Sequence, residues 1–135
     1  MRKVLFVVLI LGIFIFTACA STSDSAEPVA TLDSVPAEFA GKTNPLGADA
    51  AVAGAEVYKT HCASCHGDTG LGDGHAGGYL QPTPKNLVEF QPQVGDDYLF
   101  WRISTGKSGT GMVAWKGMLT EGQIWQVISF IRTLK

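Results

Sequence analysis

Cys62-Ala63-Ser64-Cys65-His66 is the stretch that decides how this 135-residue chain is read. Two thiols three positions apart can add across the two vinyl groups on one edge of a haem, and a histidine directly after the second thioether can then point its imidazole at the iron. From three cysteines and three histidines, chance would produce this run on the order of once in a thousand such chains. A thioredoxin-type redox disulfide needs a βαβ setting, which is absent, and a zinc site needs four ligands where no second cysteine pair exists. The run therefore predicts one covalently attached haem c, held by Cys62 and Cys65, with His66 as an axial ligand of the iron.

Around this run the residues read as helices separated by long loops. Asp49 to about Cys62 predicts a helix with Asp49 at its N-cap; Val52 and Ala55 share one stripe, and Gly54 and Tyr58, four apart, share another. Gly67–Pro84, GDTGLGDGHAGGYLQPTP, is too rich in glycine for a long regular element. Asp96–Thr105 predicts a second helix with the apolar stripe Leu99, Phe100 and Ile103, ended by Gly106. Thr120-Glu121-Gly122-Gln123 is a capping box opening a last helix, where Ile124, Val127, Ile128 and Ile131 keep helical spacing. No strand-like alternation stands out. The fold class is mostly α, with three main helices and long loops over 48–135. About 85 residues with so much loop glycine are hard to stabilise alone, so a large buried cofactor is the expected staple.

The iron needs a sixth ligand or deliberately lacks one. Met112, Met118, His61 and His75 are the candidates. His61 abuts Cys62 and is tethered too closely to cross the ring, while His75 reads as an exposed polar residue of the glycine loop. Met118, six residues on and near the last helix, is the alternative ligand or else a core filler. Met112, in the flexible Gly109-Thr110-Gly111-Met112 loop between two helices, is the assigned ligand, from which a thioether can reach the opposite haem face.

With these residues in place, 48–135 resembles a class I c-type cytochrome of the short bacterial monohaem kind, similar to haem domains that feed terminal oxidases. The resemblance rests on Gly54-x-x-x-Tyr58, on Cys62 through Gly67, on Gly70-Leu71-Gly72-Asp73-Gly74, and on Gly106-Lys107 through Met112 to Phe130-Ile131. It implies a small cytochrome c fold wrapped around one haem, with Gly54 and Tyr58 crossing the final helix near Val127 and Phe130. It also implies a proline carbonyl, from Pro82 or Pro84, orienting the proximal histidine. A departure is Val113, where the family often has proline after the ligand methionine. His66/Met112 ligation leaves no open coordination site, so the resemblance implies a one-electron carrier rather than an enzyme. Methionine donates poorly to ferric iron, which raises the potential. A haem peroxidase or gas sensor would need a labile methionine, and no distal acid-base His or Arg stands at a recognisable spacing. Trp101, Trp115 and Trp125 read as packing, and Lys85, Lys107 and Lys116 as candidates to rim the haem edge and steer an acidic partner.

The chain ahead of this domain reads as targeting and tether. Met1-Arg2-Lys3 and the apolar VLFVVLILGIFIF of residues 4–16 form a signal peptide or membrane anchor over 1–19. Ala18-Cys19-Ala20 fits ordinary cleavage, Phe16-Thr17-Ala18-Cys19 resembles a bacterial lipobox with Phe16 where leucine is usual, and an uncleaved anchor is the third reading. Cys19, the odd cysteine, is the lipidation candidate. Each reading places the domain on the exported side, in the periplasm or at the outer face of the cytoplasmic membrane. Residues 20–47, poor in large apolar groups and carrying Asp24, Glu27, Asp33 and Glu38 against Lys42, read as a flexible acidic linker; nothing in the sequence requires Phe39 to dock. The expected partners are a redox donor and acceptor, membrane complexes among them. A net charge of −2 offers no footprint for nucleic acid, and no small-molecule substrate is expected.

Overall fold

The computed structural model describes residues 32–135; the expectations for 1–19 and 20–31, Cys19 included, lie outside the described residues. Five α-helices follow one another: α1 (Ala50–His61), α2 (Ala63–His66), α3 (Leu87–Phe90), α4 (Asp96–Thr105) and α5 (Glu121–Ile131). Single 3-10 turns span Gly77–Tyr79 and Gln91–Gln93, and the described residues form no β-strand. The three long helices α1, α4 and α5 are the expected ones, and the glycine stretch 67–84 holds nothing longer than one turn.

α5 starts where the capping box demands. Thr120 Oγ1 accepts from the Gln123 backbone N–H at 3.2 Å, and Gln123 Oε1 accepts from the Thr120 N–H at 2.9 Å. α1 is different: Asp49 precedes it, but its side chain makes no cap hydrogen bond. The short α3 was not foreseen, although its signal is local: Asn86 Oδ1 accepts from the N–H groups of Val88 and Glu89.

α1 crosses α5 at Gly54. A Cβ there would lie 1.9 Å from the Gln126 carbonyl oxygen and 3.1 Å from Phe130 Cβ, so only glycine permits the approach. One turn on, Tyr58 is 1% exposed and its ring meets Phe130 at 4.9 Å. This buried Gly54–Tyr58 stripe faces the core, whereas Val52 of the other expected stripe is 77% exposed. The helix chooses its inward face by close approach to α5 rather than by its most apolar residue. Leu99, Phe100 and Ile103 of α4 and Ile124, Val127, Ile128 and Ile131 of α5 complete the core, with Trp125 stacked on Phe100 at 4.2 Å. At one end Arg132 pairs with Asp96 at 2.7 Å and donates to the Gln91 and Val94 carbonyls, tying the chain's last turn to the start of α4.

The stretch 33–47, expected within the linker, makes specific contacts with the helices. Phe39 packs on Phe100 with ring centroids 6.2 Å apart, the Gly41 N–H donates to Asp97, and the Asn44 amide donates to the Trp125 carbonyl and to Ser129 Oγ. The composition of the segment is polar, but each contact is a directed one that composition does not report.

Candidate haem site

α1 ends as the Cys62 N–H donates to the Tyr58 carbonyl, and α2 is a single turn made of the motif itself. With Cys62 at its N-cap, that turn carries Cys65 and His66, the spacing that two thioethers and an axial imidazole need. Cys62 and Cys65 are both unpaired. Burial, with Cys65 adding to it, pushes the Cys62 thiol up to about 12, away from the lowered range of a reactive redox cysteine.

The His66 ring is fixed from behind. Its Nδ1–H donates to the Lys85 carbonyl at 3.3 Å, because a carbonyl can only accept. Nε2 is thereby left with its lone pair for a metal. Burial lowers the His66 pKa, partly offset by that bond, so the ring is held neutral as a ligand must be. The orienting carbonyl thus belongs to Lys85 and not to Pro82 or Pro84. A Cβ on Gly72 would lie 2.5 Å from the Pro84 oxygen, so Pro84 presents its carbonyl to Gly72, and the next residue's serves the histidine. The loop is pinned by the Gly72 N–H to the His66 carbonyl, the Ala76 N–H to the Ser64 carbonyl and the Leu87 N–H to the Gly70 carbonyl. Tyr58 Oη donates to the Gly67 carbonyl at 2.8 Å, and burial raises the pKa of that phenol.

Met112 lies in the loop between α4 and α5, half-buried against the core. Gly106, at φ +67°, starts the loop; a Cβ there would lie 2.5 Å from the Met112 oxygen, so a side chain has no room at this turn. The Lys107 N–H donates to that oxygen at 3.0 Å, and Thr110 Oγ1 accepts from the Met112 N–H at 3.1 Å. Met118, the alternative ligand and candidate core filler, is 60% exposed and outside the core. The two histidines lie elsewhere: His61 is edge-on to Trp115 at 5.0 Å, and His75 lines an open cleft of about 650 Å³ with Lys59, Asp68 and Asp73. That cleft includes none of Cys62, Cys65, His66 or Met112.

Arg102 was missed by the sequence reading. Its Nη1 donates to the Gly106 carbonyl at the root of the Met112 loop, its guanidinium lies 4.0 Å over Trp101, and its buried Nε has no partner. An orphaned buried donor beside the loop fits a group that brings its own carboxylates, as haem does. Two free thiols beside one turn and a neutral histidine anchored through Nδ1 fit the attachment side of a haem c site, and the unanswered Arg102 donor lies at the root of the Met112 loop.

Residues 49–131 match the family model described as cytochrome c oxidase, cbb3-type, subunit III. The chain belongs to this family of c-type cytochromes. The cytochrome domain accordingly carries covalent haem c, which supplies one-electron chemistry by cycling between ferrous and ferric iron. No curated protein matches the chain. Among solved structures it is similar to a chain of the Kuenenia stuttgartiensis reducing HAO-like protein complex Kustc0457/Kustc0458, at 23% identity and a TM-score of 0.59. That match covers 67% of the cytochrome and 46% of the Kuenenia chain, so the cytochrome spans less than half of that neighbour, and the likeness bears on the fold.

Proposed function

We propose that the domain passes single electrons through one haem c ligated by His66 and Met112, between a redox donor and acceptor on the exported side of the cytoplasmic membrane. The observation that carries this reading is the pairing of a rigidly oriented His66 with a half-buried Met112, while Met118 is exposed. Two strong-field axial ligands keep the geometry nearly constant between oxidation states, which suits fast transfer and excludes substrate from the iron. The N-terminal segment, as signal and lipid or helical anchor, would keep the domain near membrane partners and raise its effective concentration there.

A second reading has the domain as a fixed subunit of a respiratory or photosynthetic complex. It is favoured by the oxidase-subunit description of the family and by the multi-protein complex that holds the structural neighbour. Val113, 54% exposed, and Met118 would then belong to a covered face.

The test is the optical spectrum of the haem-loaded protein, oxidised and reduced, with and without CO. A low-spin c-type spectrum with the weak far-red band of methionine on ferric iron, unmoved by CO, is expected. A high-spin spectrum or ready CO binding overturns His66/Met112 ligation and favours a haem enzyme or gas sensor. Co-purification with other haem proteins after mild extraction, against recovery as a single chain, separates subunit from shuttle.

A further inference from the structure

The segment 33–47 starts at the root of the Met112 loop, and its contacts there are electrostatic. Asp33 Oδ2 accepts from Arg102 Nη2 and from Lys107 Nζ, both at 2.7 Å. These two cations are the stem of the loop. Arg102 holds the Gly106 carbonyl through Nη1, and the backbone N–H of Lys107 holds the carbonyl of Met112 itself. Without a carboxylate between them, Arg102 and Lys107 would face each other as like charges. Asp33 is delivered by a segment that is itself fastened at Phe39, Gly41 and Asn44. Lys42 adds its ammonium 5.5 Å over the Phe100 ring.

We propose that Asp33 is a positioning residue for the sixth ligand: by drawing Arg102 and Lys107 together it holds the Met112 loop closed, so the N-terminal segment tunes how firmly methionine stays on the iron. This rests on Met112 being that ligand. The pair with Lys107 is half exposed and the pair with Arg102 less so, with Arg102 only 13% exposed, so the clamp is a modest one that salt can weaken.

The test uses the full haem-loaded chain in the ferric state at about pH 8, titrated with imidazole, a neutral competitor for the methionine position, and followed by loss of the far-red band. Asp33→Asn is expected to lower the apparent Kd for imidazole about threefold at low ionic strength. Asp33→Glu should restore most of the wild-type value, and Glu38→Gln, which removes a carboxylate elsewhere on the segment, should leave it unchanged. Raising salt towards ~1 M should bring the wild type to the Asp33→Asn value and leave Asp33→Asn unmoved. The salt series on the wild type stands even if the variant folds poorly. Equal Kd values for Asp33→Asn and wild type, a wild type insensitive to salt, or a threefold difference that persists in high salt overturns the clamp. Met112→Ala separates the two readings. If it keeps the far-red band, Met112 is not the ligand and the clamp falls with it. If it loses the band while Asp33→Asn is silent, only the clamp falls.

Discussion

The two sides of the haem site are built differently. On the histidine side, Gly67–Lys85 is tied by backbone hydrogen bonds to α2 and α3, and several of its glycines sit against other backbone: a Cβ at Gly72, Gly74 or Gly77 would lie about 2.5 Å from a carbonyl oxygen. On the methionine side the loop is held by Lys107, Thr110 and Gly106, and Gly109 and Gly117 have nothing within 4 Å of where a Cβ would stand. The comparison teaches where rigidity belongs. The turn that carries Cys62, Cys65 and His66 is backed by close backbone on most sides. The Met112 loop is close-packed at Gly106 and Gly111 but open at its Gly109 tip, so the hold of the proposed thioether ligand depends on a few bonds and on the charges at its root.

The largest effect expected from this contrast is at His66. His66→Ala should abolish a stable holo-domain, read as loss of the low-spin haem spectrum and of cooperative thermal unfolding, because haem and fold are coupled in so small a domain. Met112→Ala should keep the covalent haem and the helices. It should lower the reduction potential, open the ferrous iron to CO and cost about 2 kcal/mol of stability. If Met118→Ala does this instead, the loop presents the other methionine. Paired glycine substitutions measure the asymmetry directly. Gly72→Ala, at φ +84° and against the Pro84 oxygen, should cost roughly 2–4 kcal/mol in chemical denaturation, while Gly109→Ala, at φ +74° in open space, should cost about 1 kcal/mol. Equal costs would remove the contrast.

The smallest expected effect is in pH. Lys107 first, and Arg102 beside it, hold the Asp33 carboxyl below its ordinary value of 3.8. A carboxylate with a depressed folded-state pKa contributes stability above its unfolded value and loses it as pH falls through the folded one. The dependence of the far-red band's melting temperature on Asp33 should therefore be full above about pH 4, begin to fall below it, and vanish only once the pH lies below the depressed folded-state pKa, where wild type and Asp33→Asn converge. A difference between them that persists there breaks the electrostatic account.

Much of this architecture is legible residue by residue because its causes are local. The capping box fixes the start of α5 within four residues, Gly106 stops α4, and the haem motif needs only one turn of chain. Periodicity alone left open what depended on distant chain, and the resemblance, not the stripe pattern, pointed to the Gly54–Tyr58 face. Val52 is the more apolar option on α1, yet it faces solvent because only the glycine face can approach α5 so closely. Met118 resembles a core residue by type, yet the return of Trp115 and Lys116 to the Ile103 and Ser104 carbonyls leaves it exposed at the turn that follows.

The sequence by itself determined that the domain is helical and that it carries the Cys62-Ala63-Ser64-Cys65-His66 motif of a haem c protein, since covalent spacing and helix-end chemistry are properties of adjacent residues. Only the tertiary structure decided that Lys85 supplies the carbonyl behind His66, that Arg102 keeps an unanswered donor at the site, and that Asp33 reaches across some seventy residues of chain to the root of the Met112 loop. Those pairings depend on where glycine-rich loops carry the chain in space, which no short-range pattern encodes.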